Sequence, residues 1–243
     1  MMLERGSIAD RCAALRKEID DTLRSLGRAP GSVRLVAVTK FQPRAAVVDA
    51  IAAGIDGVGE NYVQEAEGKL AGLAVRKHFI GHLQTNKARR VAALFDVVES
   101  VDRVDAARAL DRAAAALGRR LGVLLQVNVS PAERFGAAPE AFDDLLAEVR
   151  AMPNLRVDGV MAIGPVGVGR DELMGAFELA RRCFERTGGT VLSLGMSGDW
   201  REALAAGSTE VRLGTALFGA RPQRDADRRV GAAHRAASGG RIG

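Results

Sequence analysis

Lysine is scarce in this chain. Of its 35 basic residues only five are lysines: Lys17, Lys40, Lys69, Lys77 and Lys87. Arginine is the default cation, so a lysine directly after an apolar run needs its own reason. Lys40 is such a residue, following Leu35-Val36-Ala37-Val38-Thr39. At the exit of a buried strand an amine is partly desolvated, which lowers its pKa and leaves more of it neutral. A neutral amine can condense with an aldehyde to form a Schiff base. A surface lysine in a loop is the competing reading of this stretch taken alone.

Two further stretches carry chemistry of another kind, Gly195-Met196-Ser197-Gly198-Asp199-Trp200 and Gly214-Thr215-Ala216-Leu217-Phe218-Gly219. Both are small, hydroxyl-bearing turns that open helices. Helix starts present N–H groups and a positive dipole end to an anion, and glycine lets the backbone approach closely. Arg212, just before the second turn, could add a charged fork. Simple helix caps are the alternative. His82 is the one histidine placed for acid/base work, although a lone histidine is more often a structural or ring-orienting contact. His78 falls inside a strand and His234 near the end of the chain. There is no HExxH, CxxC or clustered carboxylate in the linear sequence, and no GxSxG, so neither a metal site nor a nucleophile elbow is expected. Cys12 and Cys183 have no metal or redox spacing and read as core residues of a cytosolic protein.

The elements that must position these groups are legible from periodicity. Ser7 and Asp10 form a capping-box pattern ahead of a helix over 7–26 with one apolar face. Short β-branched runs then alternate with Ala-rich helical stretches. The expected strands are 33–38, 57–59, 77–80, 97–100, 121–129, 155–163, 190–194 and 210–213, each followed by a helix. Strict alternation implies a parallel sheet, and eight units imply a single closed (β/α)8 barrel. An open doubly wound sheet is the runner-up, but the GxGxxG fingerprint is missing after the first strand. In a barrel, function sits at the carboxyl ends of the strands, with phosphate favoured at the loops after strands seven and eight.

Composition agrees with one such domain. The chain has 243 residues, 47% apolar and 27% charged, the balance of an ordinary globular protein. It shows no membrane-length apolar run and no secretory signal. The formal charge of +5 is concentrated at the end, where residues 221–243 hold six arginines against two aspartates. The body is nearly neutral, which argues against nucleic acid as a partner. The expected division is a barrel domain over 1–220 and a basic, disordered tail over 221–243.

A Schiff-base lysine facing a phosphate site across a barrel mouth is what pyridoxal 5′-phosphate (PLP) requires, and what a lysine-type aldolase acting on a phosphosugar would also want. The chain resembles the pyridoxal phosphate homeostasis protein family, which is related to the N-terminal barrel of alanine racemase. The resemblance is carried by Leu35 to Lys40, by Gly59-Glu60-Asn61-Tyr62-Val63-Gln64-Glu65 and by His78-Phe79-Ile80-Gly81-His82-Leu83-Gln84-Thr85-Asn86-Lys87. It continues in Gly195-Met196-Ser197-Gly198-Asp199 and in Val211-Arg212-Leu213-Gly214-Thr215. It implies PLP on Lys40 as an internal aldimine, phosphate contacts from Ser197, Arg212, Gly214 and Thr215, and Asn61, His82 and Met196 near the cofactor. It further implies a cytoplasmic monomer that buffers or delivers PLP, with PLP-requiring apo-enzymes as partners and no assigned reaction. A PLP-dependent racemase-like enzyme, using Lys40 with Tyr62 or His82, is the alternative. Two positions depart from the family pattern. Lys77 stands where many relatives have Trp, and Arg134 where many have a lysine. Arginine cannot form a Schiff base under ordinary conditions, so a second attachment site there is not expected.

Overall fold

The computed structural model describes residues 6–130 and 135–219. The tail over 221–243 and Arg134 lie outside the described residues. Eight parallel strands close into a barrel in sequence order. They are β1 (Arg34–Val38), β2 (Gly57–Glu60), β3 (Arg76–Phe79), β4 (Val97–Val101), β5 (Leu121–Val127), β6 (Leu155–Ala162), β7 (Val191–Ser193) and β8 (Glu210–Leu213). Closure is made by β1 against β8, with Leu35 opposite Val211 and Ala37 opposite Leu213.

The helices are α1 (Ile8–Ser25), α2 (Arg44–Ala52), α3 (Val63–Leu70), α4 (Ala88–Leu94), α5 (Val104–Ala116), α6 (Phe142–Arg150), α7 (Arg170–Thr187), α8 (Trp200–Ala205) and α9 (Thr215–Phe218). Short 3₁₀ turns precede α4 and α6. The Ser7–Asp10 capping box forms as its spacing predicts: the Ser7 hydroxyl accepts from Asp10 N–H and Asp10 accepts from Ser7 N–H. The apolar face of α1, Cys12, Leu15, Ile19 and Leu23, is buried. It packs against α2, α8 and α9. Arg11 Nε donates to the Leu217 carbonyl at 2.6 Å, tying α1 to the turn after β8.

The main core lies between the sheet and its helical ring, where Leu35, Ala37, Val58, Phe79, Val123, Val160 and Leu213 meet the inner faces of the helices. Cys12 and Cys183 are both buried and unbridged, as their isolation in sequence predicts. The barrel interior is different. It holds a small apolar cluster of Val97, Leu124, Met161 and Val191, and a larger polar one. The strands are short β-branched runs, yet they carry Glu60, His78, Glu99, Gln126, Ser193, Glu210 and Arg212 inward or into the rim, all buried. Gly57 makes room for the imidazole: a Cβ there would sit 2.9 Å from His78 Nε2.

No helix among the described residues is long and apolar enough to cross a membrane.

Candidate functional site

Lys40 leaves the end of β1 half-buried, between buried Thr39 and exposed Phe41. Thr39 N–H still donates to the Gly59 carbonyl at 3.0 Å, so the strand runs one residue past its last pair before it turns. Phe41 takes φ 66°, and it is the sole non-glycine residue with positive φ among those described. Lys40, Gln42 and Val38 line a small hollow with Gly214, Thr215 and Gly219. The first and last strands of the barrel thus bring the lysine and the Gly214–Thr215 turn to one place.

The turns after β7 and β8 are joined. Ala216 N–H donates to Ser197 Oγ at 3.3 Å, and Arg212 N–H donates to the Gly195 carbonyl at 2.9 Å. Asp199 orders the first turn by accepting from Met196 N–H at 2.6 Å. Burial pushes the Asp199 carboxyl up from its ordinary range, against the lowering pull of the Met196 amide. The helices here, α8 and α9, are only six and four residues long. The anion-favouring features are therefore the hydroxyls and glycines of the turns more than any helix dipole.

Arg212 is 4% exposed. Its guanidinium donates to the Ser193 carbonyl and hydroxyl, at 2.8 and 2.5 Å, and to the Ala162 carbonyl at 2.9 Å. It lies 3.7 Å from Glu99 Oε2. The arginine is thus anchored in the interior beneath the turns.

On the other side of the mouth is a cavity of about 360 Å³ whose lining includes Asn61, Tyr62, His82, Lys87, Gln126 and Phe135. Asn61 and Tyr62 stand between the end of β2 and the start of α3 at Val63. The His82 ring stacks on Phe135 at 4.0 Å between centroids and 20° between planes. Asn61 Oδ1 and His82 Nδ1 are buried without a hydrogen-bond partner among the described residues. Gly81 is required between them: a Cβ there would lie 2.1 Å from the Asn61 carbonyl oxygen.

Linear spacing gave no sign of the cluster inside the barrel. His78 Nδ1 sits 2.7 Å from Glu99 Oε1 and 3.8 Å from Glu210 Oε1, Ser193 Oγ donates to Glu99 at 2.7 Å, and Arg34 Nε donates to Glu210 at 3.0 Å. Burial alone would lower the His78 pKa, but the Glu99 hydrogen bond and the charges of Glu99 and Glu210 outweigh it and raise it. Burial likewise opposes ionisation of Glu99, yet His78, Arg212 and Ser193 hold it below its ordinary range. Glu210 is pushed up, by burial first and then by Glu99. The absence of clustered carboxylates held for the sequence but not for the fold, because Glu99 and Glu210 come from β4 and β8, far apart in the chain. Arg34 and Arg212 already provide the positive charge a cation would bring, so the cluster reads as interior wiring.

The chain has wide similarities. Residues 12–222 match the family described as alanine racemase, N-terminal domain. Fold and site together define a barrel of the alanine-racemase type. An alanine racemase from Clostridium difficile shares that fold at TM-score 0.67 and 12% identity, over 86% of this chain and 57% of that one. The Pseudomonas aeruginosa pyridoxal phosphate homeostasis protein is 44% identical over 222 residues, 89% of this chain and 96% of the relative. Its Escherichia coli K12 counterpart is 40% identical over 231 residues, 89% and 97%. PipY of Synechococcus elongatus PCC7942, solved with PLP bound, superposes with TM-score 0.78 at 37% identity over 88% of this chain and all of that one. The chain belongs to the pyridoxal phosphate homeostasis protein family.

Proposed function

We propose that this protein binds PLP at the barrel mouth and buffers or delivers it, with Lys40 as the attachment residue. The observation that carries the reading is the hollow shared by Lys40, Gly214 and Thr215. The residues present fit the cofactor. The Ser197 and Thr215 hydroxyls are directional donors suited to a phosphate ester, and Gly214 leaves room for its oxygens. Arg212 supplies positive charge from beneath. Asn61 and His82, each with a buried atom that makes no hydrogen bond among the described residues, and Met196 suit the ring and its polar substituents.

When bound, PLP supplies an electrophilic aldehyde and an electron-withdrawing ring. Lys40 would hold the group through its amine, beside the Gly214–Thr215 turn that would take the phosphate. The similarity of PipY, solved with PLP bound, supports the reading, as do relatives named for PLP homeostasis that match over nearly their whole length. A binding domain over 1–220, a cytoplasmic location, a monomeric state and handover to PLP-requiring apo-enzymes complete the proposal.

The test is the absorbance spectrum of PLP-loaded protein before and after borohydride, with mass mapping of the reduced adduct. A band near roughly 420 nm and a label on Lys40 are expected. A label on Lys17, Lys69, Lys77 or Lys87 instead would refute the assignment.

A further inference from the structure

Lys69 lies in the last turn of α3 and is 6% exposed. Its ammonium donates to the Thr39 carbonyl at 2.6 Å and to Glu65 Oε1 at 2.8 Å, and pairs with Glu60 Oε1 at 2.6 Å. Three N–H groups meet three acceptors, the full capacity of an ammonium. The Thr39 hydroxyl donates to the same Glu60 oxygen at 2.5 Å. Phe41 N–H donates to the same Glu65 oxygen at 2.6 Å. Both chain neighbours of Lys40 are therefore tied to one buried ion cluster. Phe41 is held at a φ that L-residues adopt only at a cost.

Stability does not explain the cluster. A buried ion pair roughly breaks even against well-packed apolar side chains, because both charges must be desolvated. What the cluster provides is geometry, since it fixes the backbone before and after one residue. In a chain that uses arginine by default, a compact ammonium is kept where three acceptors converge on a point.

We propose that Lys69 is a positioning residue: through the Thr39 carbonyl, and through Glu65 to Phe41 N–H, it aims the Lys40 amine at the hollow shared with Gly214 and Thr215. The inference rests on the reading of Lys40 as the attachment residue. Glu60 and Glu65 are its anchors. Lys69 touches no ligand and acts only through the loop.

Two ligands separate positioning from structural support. PLP carries the aldehyde that Lys40 attacks, whereas pyridoxine 5′-phosphate has an alcohol in its place and binds through the same phosphate and ring contacts. In Lys69→Met the dissociation constant for PLP should rise by about tenfold, while that for pyridoxine 5′-phosphate stays within about twofold. Glu65 is partly exposed, so Glu65→Ala keeps the fold if Lys69→Met does not. It should weaken PLP binding about threefold, again sparing the alcohol, and speed hydrogen exchange at the Phe41 amide. PLP affinity unchanged in both variants, or an equal loss for both ligands, overturns the inference. If Lys69→Met does not fold, the Glu65→Ala result decides alone. Wild-type protein that takes up PLP no better than the alcohol, with no label on Lys40, overturns instead the proposed function beneath it.

Discussion

Ser197 accepts a hydrogen bond from the backbone of Ala216 at 3.3 Å, so the turns after β7 and β8 meet as one surface. A hydroxyl that accepts from one turn keeps its own proton to donate to a ligand above both. Ser197→Ala should raise the PLP dissociation constant by about tenfold, the worth of one hydrogen bond to a charged oxygen. Free phosphate should lose its ability to compete with PLP in the same variant. Fluorescence titration measures both, and wild-type affinity would show that Ser197 does not face the phosphate.

Lys40→Ala should abolish the borohydride-stable adduct. The phosphate turns are untouched, so affinity for pyridoxine 5′-phosphate should stay within about twofold of wild type. Loss of both ligands together would mean that Lys40 holds the mouth in shape instead of holding the cofactor.

The barrel interior makes stability depend on pH. The His78 pKa is raised in the fold, so its contribution is complete below its ordinary value of about 6.5 and is lost as pH climbs through the folded value. Glu210, also raised, adds a loss in the same direction, beginning near about pH 4.5. Glu99 is lowered; its contribution is present above about 4.5 and disappears as acid titrates it through its folded value. Unfolding free energy should therefore decline above about pH 4.5 through Glu210 and more steeply above about pH 6.5, where His78 joins it. His78→Gln should flatten that decline and cost about 3 kcal/mol at neutral pH, by stranding a buried carboxylate. Urea denaturation on both sides of neutrality reads the slope, and an unchanged slope in the variant would remove His78 from the account.

Gly81→Ala places a methyl group against the Asn61 carbonyl. The backbone after β3 must move, at a cost of about 1–3 kcal/mol, and Asn61 and His82 must separate. Thermal denaturation should show the first effect, and weaker PLP binding the second. If neither changes, the two strand exits do not depend on their close approach.

Much of this arrangement was legible in the sequence. The eight strand runs and the helices between them follow from period and from glycine stops, and β8 matches its expected bounds residue for residue. Lys40 stood out because lysine is rare and its neighbours are apolar. The interior network was not legible. Val97-Val98-Glu99-Ser100-Val101 and Glu210-Val211-Arg212-Leu213 read as strands whichever way their polar residues point. Only closure brings Glu99, from the middle of the chain, to Arg212 near its end. The role of Lys69 was hidden for a related reason. On a helix, Glu65 and Lys69 read as an ordinary surface pair at i, i+4, and nothing in the spacing reveals that the pair faces the end of β1. Arg212 drew notice as a charge for phosphate; its anchoring to Ser193 and Ala162 required the fold.

The pairing of β1 with β8 has a consequence for biosynthesis. The lysine is translated early, whereas Gly214 and Thr215 follow some 175 residues later. A nascent chain on the ribosome can own the reactive amine long before it owns the pocket. At the proposed site, coenzyme capture would report on the last act of folding, and its arrival would fasten the seam where the two ends of the sheet join.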